Sequence, residues 1–263
     1  MGNIVRRFLL ALSFLTVLPV SLPYFRKEFV DQEVIKEDLS KASIFFPLVG
    51  LLMGGILFTI YWLLKLIDLP VHLEAGFILA VWVVLSGGLH LEGLADMIDG
   101  FFGGQNKENI ISIMKDGSIG AKGAIALIIL ILLKYLLLIS LAETVKGVSL
   151  LLAPMMGRWA MVLTAYLGKP ASSSNTLTKM FTNYLGKKEL VVSTLFTVGF
   201  NFLILSPSFI YHALVLLIIT GCITGSLIAY SNRKIQGICG DVIGAINEIS
   251  ELVVLLVSFL TIK

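Results

Sequence analysis

Residues 122–142 read KGAIALIILILLKYLLLISLA, and this stretch decides the fold class. A helix that crosses a bilayer needs roughly 20 apolar residues, and only Lys122 and Lys134 carry charge here. Because lipid offers no hydrogen bonds to a backbone, a segment of this kind must satisfy its own peptide groups. The stretch therefore predicts a transmembrane α-helix.

The rest of the chain has the same character. Of its 263 residues, 57% are hydrophobic and 14% are charged, and the mean hydropathy is +0.95. Soluble domains carry about 25% charged residues. These values exclude a soluble globular domain, a disordered chain and a protein with a nucleic acid partner. We expect one integral membrane domain over residues 1–263, with lipid around it and two reduced cysteines, Cys222 and Cys239.

Apolar runs between turn-like or charged breaks predict an all-α, polytopic helical bundle with about seven spans. The predicted spans are 43–67, 71–91, 122–142, 147–167, 189–205, 208–230 and 241–262. Arg6 and Arg7 precede a short apolar run that stops at Pro19 and lacks a small-residue cleavage pattern. We expect an uncleaved interfacial or re-entrant helix there. Gly50 and Gly54 have the spacing that permits close helix packing.

The distribution of Lys and Arg predicts the orientation. With residues 21–41 on the cytoplasmic side, the inside loops hold thirteen Lys and Arg residues and the outside segments hold three. The positive-inside rule selects this arrangement for a multi-pass protein of the cell membrane. It places three polar loops, 92–121, 168–188 and 231–240, on the cytoplasmic side.

Three carboxylates mark the first candidate site. In GGLHLEGLADMIDGFFGG, residues 87–104, Glu92, Asp96 and Asp99 fall at i, i+4 and i+7 on one helix face. Carboxylates this close repel one another unless cations lie between them. Oxygen ligands alone suit Mg²⁺ or Mn²⁺. The pattern predicts a metal site, with a solvated acidic helix end as the alternative.

A second set of acids lies in the last span. Asp241 and Glu248 are seven residues apart on one face, and Glu251 follows one turn later. Asp241 alone is also explained as a helix N-cap, but acids deeper in the membrane need a partner. His90 lies off the acidic face, and we interpret it as a core or interface histidine.

Two cationic features accompany the acids. In IMKDGSIGAKG, Lys115, Asp116 and Lys122 surround glycines that lead into a helix, an arrangement that offers backbone N–H groups to a phosphate. A plain turn is the alternative. Arg158 lies inside an apolar span, where it needs a carboxylate or a substrate phosphate as partner. We interpret Lys134 as a structural residue that snorkels toward the interface. Together with the acids, these features indicate metal-assisted phosphoryl transfer.

The sequence resembles the cobalamin synthase family, the adenosylcobinamide-GDP ribazoletransferases. The resemblance runs from FLTVLPV and FFPLVGLLMG through GGLHLEGLADMIDGFFGG, IMKDGSIGAKG and GRWAM to GDVIGAINEISELV. It implies a Mg²⁺-dependent enzyme that joins adenosylcobinamide-GDP to α-ribazole or α-ribazole 5′-phosphate and releases GMP. The residues that match polar positions of the family are Glu92, Asp96, Asp99, Asp116, Arg158, Asp241 and Glu248.

The residue patterns and the resemblance together give the expected roles. We expect Glu92, Asp96, Asp99, Asp241 and Glu248 to be metal ligands, and Lys115, Asp116, Lys122 and Arg158 to bind phosphate. Asp96, Asp99 and Glu248 are the expected catalytic residues. Members commonly carry Ser-Arg after the aspartate that matches Asp116. This chain has Gly117 and Ser118 there, so Lys122 is the candidate replacement cation.

Other functions stay open at this level. A CDP-alcohol phosphotransferase would carry Ala-Arg after Asp99–Gly100, where this chain has Phe101–Phe102. A prenyltransferase is a more distant rival. A cation-coupled transporter would need acids near the midplane that are reachable from both sides. The sequence also leaves open a homo-oligomer, and it leaves open whether residues 168–188 form a polar lid or a connector.

Overall fold

The computed structural model describes residues 3–19, 38–171, 176–205 and 210–261 and contains no β-strand within them. Eleven α-helices and one 3₁₀-helix, Ser43–Phe45, make up this part of the chain. The α-helices are α1 (Asn3–Leu15), α2 (Phe46–Leu66), α3 (Val71–Ser86), α4 (Leu89–Gly103), α5 (Lys107–Met114), α6 (Ala121–Ser140), α7 (Glu143–Leu167), α8 (Thr176–Tyr184), α9 (Lys187–Ile204), α10 (Ile210–Ile235) and α11 (Gly240–Thr261).

The helical membrane protein that the sequence predicts is confirmed, but a count of seven spans is not. Five helical segments are long and apolar enough to cross a membrane, and α3 with α4 could supply a sixth. The five are Asp38–Leu66, Ala121–Ser140, Glu143–Leu167, Tyr211–Ile235 and Gly240–Thr261. The predicted span 189–205 corresponds to α9, which has 18 residues and begins with Lys187, Lys188 and Glu189. Its charged first turn sets α9 apart from the five.

The predicted span 71–91 is interrupted by two glycines. Gly87 and Gly88 adopt φ values of 63° and 70°, in the left-handed region that only glycine enters at little cost. Gly87 ends α3 as its C-cap, and Gly88 caps the start of α4. The two helices meet at 86°. This bend directs the acid-bearing helix α4 away from the axis of α3.

Helix α7 lies at the centre of the bundle and is largely buried. The prediction from Gly50 and Gly54 is confirmed, because both glycines press against its backbone. Pro154, inside α7, has no N–H to give to the Leu150 carbonyl. A Cβ atom at Gly54 would stand 2.6 Å from that oxygen. Close approach of α2 therefore covers a carbonyl that the helix itself leaves unbonded.

Helix α1 has 13 residues, too few to cross a bilayer. It buries Leu10 and Leu15 against the core, and Phe8 packs edge-on against Phe45. Arg6 and Arg7 pair with Asp38, the first residue of the long segment that leads into α2. The structure thus confirms a short N-terminal helix attached to the bundle. Its placement at the membrane interface stays a prediction.

The three long polar loops meet at one end of the bundle, which we call the acidic end. Lys234 Nζ donates to the Phe101 carbonyl at 2.9 Å, and Lys107 Nζ donates to Gln236 Oε1 at 2.9 Å. Backbone hydrogen bonds join Lys169 and Ala171 to Ile238. The predicted grouping of these loops on one side is therefore confirmed, whereas the cytoplasmic identity of that side stays a prediction.

Candidate active site

The acids of α4 differ in exposure along the helix. Glu92 is exposed, Asp96 is half-buried, and Asp99 is buried at 7% relative exposure. The three therefore run from solvent into the protein. This gradient gives each carboxylate a different environment, which the shared-face pattern in the sequence did not predict.

Asp99 holds the start of α6. Its Oδ2 accepts a hydrogen bond from the Gly120 N–H at 2.8 Å, and its Oδ1 accepts one from the Gly123 N–H at 2.8 Å. A Cβ atom at either glycine would collide with this carboxylate. Helix N-termini leave N–H groups without partners, and an acid there also interacts favourably with the helix dipole. Two of the N–H groups that the glycine loop was expected to offer to a phosphate are thus bound to Asp99.

Helix α11 brings Asp241 to the same place. A Cβ atom at Gly93 of α4 would lie 3.0 Å from both the Cα and the carbonyl oxygen of Asp241, so the two backbones touch there. Asp96 lies within electrostatic range of Asp241, Glu92 and Asp99. We call these four carboxylates, Glu92, Asp96, Asp99 and Asp241, the acidic cluster. The predicted meeting of α4 and the last helix is correct for Asp241.

The donor chemistry of the acidic cluster fits a hard divalent cation, since all of its groups are carboxylates. In the described part of the chain, however, no three His, Cys, Asp or Glu side chains stand close enough to hold a metal ion together. Because Glu92 is exposed and Asp96 only half-buried, both side chains have room to change rotamer. A metal site here needs that reorientation, and the metal roles stay predictions.

Glu248 belongs to a different group of residues, deeper in the bundle. Lys134 Nζ donates to Glu248 Oε2 and to Glu251 Oε2, each at 2.7 Å. Arg158 Nη1 donates to Glu251 Oε1 at 2.7 Å and to Asn247 Oδ1 at 2.5 Å. We call these five residues the buried ion network. It contains two cations and two anions, and it joins α6, α7 and α11.

The buried ion network decides between two partners proposed for Arg158 and corrects the interpretation of Lys134. Arg158 has 0% relative exposure and binds a carboxylate of the protein. Lys134 does not snorkel, because its relative exposure is 3% and its ammonium group lies over the Trp82 ring and between two glutamates. The expectation that Glu248 and Glu251 need a partner is confirmed, because Lys134 binds both and Arg158 also binds Glu251.

The glycine and lysine loop between α5 and α6 borders an open groove beside Asp99. Lys115, Asp116 and Lys122 are all exposed. Asp116 accepts a hydrogen bond from Ser118 at 2.5 Å, and Lys122 donates to the Phe102 carbonyl. The loop thus brings two cations and the acidic cluster to the same end of the protein. Phosphate binding by these residues stays a prediction.

A cavity of about 180 Å³ lies next to the acidic cluster. Gly93 and His90 of α4, together with Gly240, Asp241 and Gly244 of α11, form one side of it. Thr178 and Phe181 of α8 form another. Because α8 lies within residues 168–188, part of the predicted lid does border a cavity at the site. Phe181 is buried and stacks on Phe46 with ring centroids 5.3 Å apart.

The chain is similar in sequence to known proteins. The sequence model of cobalamin-5-phosphate synthase matches residues 7–259. An adenosylcobinamide-GDP ribazoletransferase of Clostridium kluyveri is 35% identical over 96% of this chain and 95% of its own. The Clostridium tetani enzyme of that name is 36% identical over 95% and 94%, and one from Clostridium botulinum is 36% identical over 98% of both chains. No solved structure matches the chain.

The chain belongs to the cobalamin-5-phosphate synthase family. It is therefore an enzyme, a transferase in cobalamin synthesis, as the resemblance of its motifs indicated. Membership in this family excludes the CDP-alcohol phosphotransferase, the prenyltransferase and the transporter as alternatives. The family model covers every residue of the acidic cluster and the buried ion network.

For this synthase family member, nucleophilic catalysis by a thiol has no support. Cys222 and Cys239 are both free, as predicted. Cys239 lies just before α11, where burial and then the neighbouring Asp241 carboxylate raise the pKa of its thiol to about 12. The thiol is therefore protonated at neutral pH.

Sequence reasoning missed three features of the synthase site. Lys134 is a charge inside an apolar run, and the cost of burying it was the available signal, as it was for Arg158. The Asp99 cap left a weaker trace, namely the two glycines Gly120 and Gly123 at the start of α6. Thr178 and Phe181 left none, because nothing local in the sequence shows where α8 packs.

Proposed function

We propose that the protein joins adenosylcobinamide-GDP to α-ribazole or its 5′-phosphate and releases GMP, with Mg²⁺ held by the acidic cluster. The observation that carries this proposal is the meeting of α4 and α11 at Gly93 and Asp241. It puts a group of carboxylates next to a cavity and beside the loop that holds Lys115 and Lys122. The names of the relatives supply the two substrates.

In the proposed reaction, a ribose hydroxyl of α-ribazole attacks the phosphorus nearer the corrinoid. A new P–O bond forms to that hydroxyl, the P–O bond to GMP breaks, and the hydroxyl proton passes to a carboxylate. Bound Mg²⁺ would neutralise the diphosphate charge and stabilise the leaving phosphate. Lys115 and Lys122, both exposed in the loop between α5 and α6, would attract the anionic substrate.

Of the three expected catalytic carboxylates, Asp99 already accepts a backbone N–H at each oxygen, which leaves Glu248 and Asp96 as candidates for the proton acceptor. Glu248 already accepts a hydrogen bond from Lys134 and has 3% relative exposure. Asp96 is half-buried at the acidic end and has no hydrogen bond to a cation among the residues that the structure describes. A general base must lie within reach of the proton that it removes. We therefore assign proton transfer to Asp96 and a supporting role to Glu248.

The test of the proposed function is an assay of the purified protein. Adenosylcobinamide-GDP is mixed with α-ribazole or with α-ribazole 5′-phosphate, with Mg²⁺ or with EDTA. We expect GMP release only when donor, acceptor and Mg²⁺ are all present. Comparing the two acceptors at equal concentration identifies the natural one. Full turnover in EDTA would remove the metal from the proposal, and absence of GMP under all conditions would reject the activity.

We further propose that the protein lies in the cytoplasmic membrane with its acidic end in the cytoplasm. Support comes from the Lys and Arg bias and from the meeting of the three polar loops. In a variant without the native cysteines, Lys187→Cys and Glu108→Cys should resist an impermeant thiol reagent added to intact cells. Thr144→Cys, exposed at the other end, should react. The reverse pattern would overturn the orientation.

A further inference from the structure

The guanidinium groups of Arg6 and Arg7 and the carboxylate of Asp38 form a small ionic group, which we call the arginine corner. Arg7 Nε donates to Asp38 Oδ1 at 3.2 Å, and Arg6 Nη2 pairs with Asp38 Oδ2. The Asp38 side chain is 9% exposed, whereas those of Arg6 and Arg7 are 28% and 25% exposed. The carboxylate is thus covered, while both cations keep part of their surface open to a ligand.

The charges of the arginine corner do not balance. It holds two cations and one anion, so one positive charge is left over. The other ion-paired groups that join described residues are balanced, namely Lys65 with Glu143, Lys146 with Glu74, and the buried ion network. A charge that is largely removed from water is costly unless it is paired. The surplus positive charge of the corner therefore indicates an anionic partner.

The geometry of arginine identifies the kind of anion. Each guanidinium carries a planar fork of N–H donors, which binds carboxylate or phosphate oxygens in pairs. Among the residues that the structure describes, Asp38 is the one acceptor that takes an ion pair or hydrogen bond from either arginine. Both forks therefore keep unused N–H groups on neighbouring side chains. Two such forks match the several oxygens of one phosphate.

The arginine corner lies close to the candidate active site. Arg7 and Phe14 are seven residues apart on one face of α1, about 10 Å along its axis, and Phe14 lines the cavity that Asp241 borders. Ser40 Oγ, near the corner in sequence, donates to the carbonyl oxygen of Phe181 at 3.2 Å. Phe181 lines the same cavity. Both α1 and α8 thus connect the corner to the region of the acidic cluster.

We propose that the arginine corner binds a phosphate group. Two molecules carry this chemistry. One is α-ribazole 5′-phosphate, which would reach the corner from the active site, and its choice rests on the proposed function. The other is a phospholipid headgroup, which would reach the corner from the bilayer, because α1 is expected at the membrane interface. The surplus positive charge serves either one, and the site itself does not depend on the proposed reaction.

Equilibrium binding to the protein purified in a maltoside detergent tests the proposal. In the substrate arm the probe is α-ribazole 5′-phosphate, and α-ribazole is its phosphate-free control. In the lipid arm the probe is a short-chain phosphatidylglycerol, and the matching diacylglycerol is its control. EDTA is present throughout, so that Mg²⁺ cannot hold a phosphate at the acidic cluster. We expect at least one probe to bind more tightly than its control, by a factor on the order of ten.

Arg7→Gln tests the surplus charge. It leaves Arg6 and Asp38 as a balanced pair, so the protein should fold. We expect the preference for the phosphate probe over its control to fall on the order of tenfold, because charged hydrogen bonds to phosphate are lost. Arg7→Lys keeps the charge without the fork and should recover part of the preference. Arg233→Gln, which removes an exposed arginine of α10, is the matched control and should leave binding unchanged.

Asp38→Asn should act in the opposite direction. It removes the anion that shares the two arginines, so the same phosphate probe should bind a few-fold more tightly. Without the probe, this variant should unfold at a lower temperature than the wild type. The probe should restore part of that loss, because a ligand that binds the folded state stabilises it. A salt bridge that only fixes α1 predicts lower stability with neither tighter binding nor rescue.

The outcomes separate this inference from the proposed function. Arg7-dependent binding of α-ribazole 5′-phosphate assigns the corner to the acceptor, and Arg7-dependent binding of phosphatidylglycerol assigns it to lipid. If neither probe binds better than its control, or if folded Arg7→Gln protein keeps the wild-type preference, the inference is overturned even when the wild type releases GMP. Arg7-dependent binding by a protein that never releases GMP would refute the transferase and leave the phosphate site standing. Arg6→Gln repeats the comparison if Arg7→Gln does not fold.

Discussion

The buried ion network and the acidic cluster use the same kinds of residues in opposite ways. In the buried ion network, two cations and two anions pair at 2.7 Å within the bundle. In the acidic cluster, Asp96 is surrounded by three other carboxylates. In the first arrangement the charges balance without any added group. The second remains repulsive until a cation arrives or some of its members take up protons.

The contrast teaches how to tell structural charges from functional ones in a membrane protein. Charges within a bundle are costly, and pairing removes that cost only if every member keeps its partner. A group that holds the fold together should therefore lose stability when one member is changed. A group reserved for a ligand should lose activity and keep its stability. Four substitutions test this distinction.

Glu251→Gln should have the largest effect. Glu251 binds both Lys134 and Arg158 and has 0% relative exposure, so its loss leaves two buried cations with one anion. Removing one partner of a buried pair typically costs about 3–5 kcal/mol. We expect a large fall in the free energy of unfolding, measured by thermal unfolding in detergent.

A double variant serves as the control for Glu251→Gln. Lys134→Met combined with Glu248→Gln removes one cation and one anion, and it leaves Arg158 with Glu251. This variant should be more stable than Glu251→Gln although it changes two residues. If Glu251→Gln unfolds like the wild type, the network does not hold the fold together.

Asp96→Asn should have the next largest effect, on rate. It removes a proposed metal ligand and proton acceptor at nearly constant volume, and losses of this kind are on the order of 10²-fold or more. Relief of carboxylate repulsion should leave the metal-free protein as stable as the wild type or slightly more stable. GMP release and thermal unfolding, both with and without Mg²⁺, measure the two effects. Wild-type turnover by a protein of lowered stability would assign Asp96 to the structure.

Asp99→Asn should combine the two behaviours. Gly120 and Gly123 each donate an N–H to a different oxygen of Asp99. In an amide one of those oxygens becomes an NH2 group, which is a donor and cannot accept the N–H that it faces. Loss of a helix cap costs about 1 kcal/mol. We expect a lower unfolding temperature than that of Asp96→Asn, three residues away on the same helix. Equal stability of the two variants would show that the cap contributes little.

Glu143→Gln should have the smallest effect. Glu143 pairs with Lys65 at the opposite end of the bundle, but its side chain is 70% exposed. Exposed ion pairs contribute little, since water already solvates both partners. We expect an unfolding temperature and a rate of GMP release like those of the wild type. If Glu143→Gln destabilised the protein nearly as much as Glu251→Gln, burial would not determine how much these ion pairs stabilise the fold.

Much of the fold was readable from the sequence, because apolar runs and membrane thickness constrain it strongly. The long helices α6, α7, α10 and α11 lie where hydropathy placed them. The bend at Gly87 and Gly88 was not predicted, since hydropathy carries no information on φ angles. Close packing at Gly50 was predicted correctly, because small residues at fixed spacing are a local signal.

The sequence predicted which acids belong to the candidate site. It did not predict that the structure separates them into two groups. Asp96 and Asp241 do face each other across α4 and α11, as the two acidic motifs suggested. Glu248 shares a helix with Asp241, and the sequence therefore grouped the two acids. The structure separates them, because Lys134 of α6 reaches Glu248. Which acid meets which cation depends on packing between distant helices, and no short motif records it.

The buried ion network also has a consequence for biosynthesis, because its cations are synthesised before its carboxylates. Lys134 is synthesised 114 residues before Glu248, a delay on the order of ten seconds at about 5–20 residues per second. For that time, Lys134 and Arg158 lack the carboxylates that they bind in the finished fold. Each charge at mid-membrane costs about 2.5–3.5 kcal/mol while it is unpaired. Helix α11 carries both carboxylates, so α6 and α7 can pair their buried charges only after α11 has been synthesised.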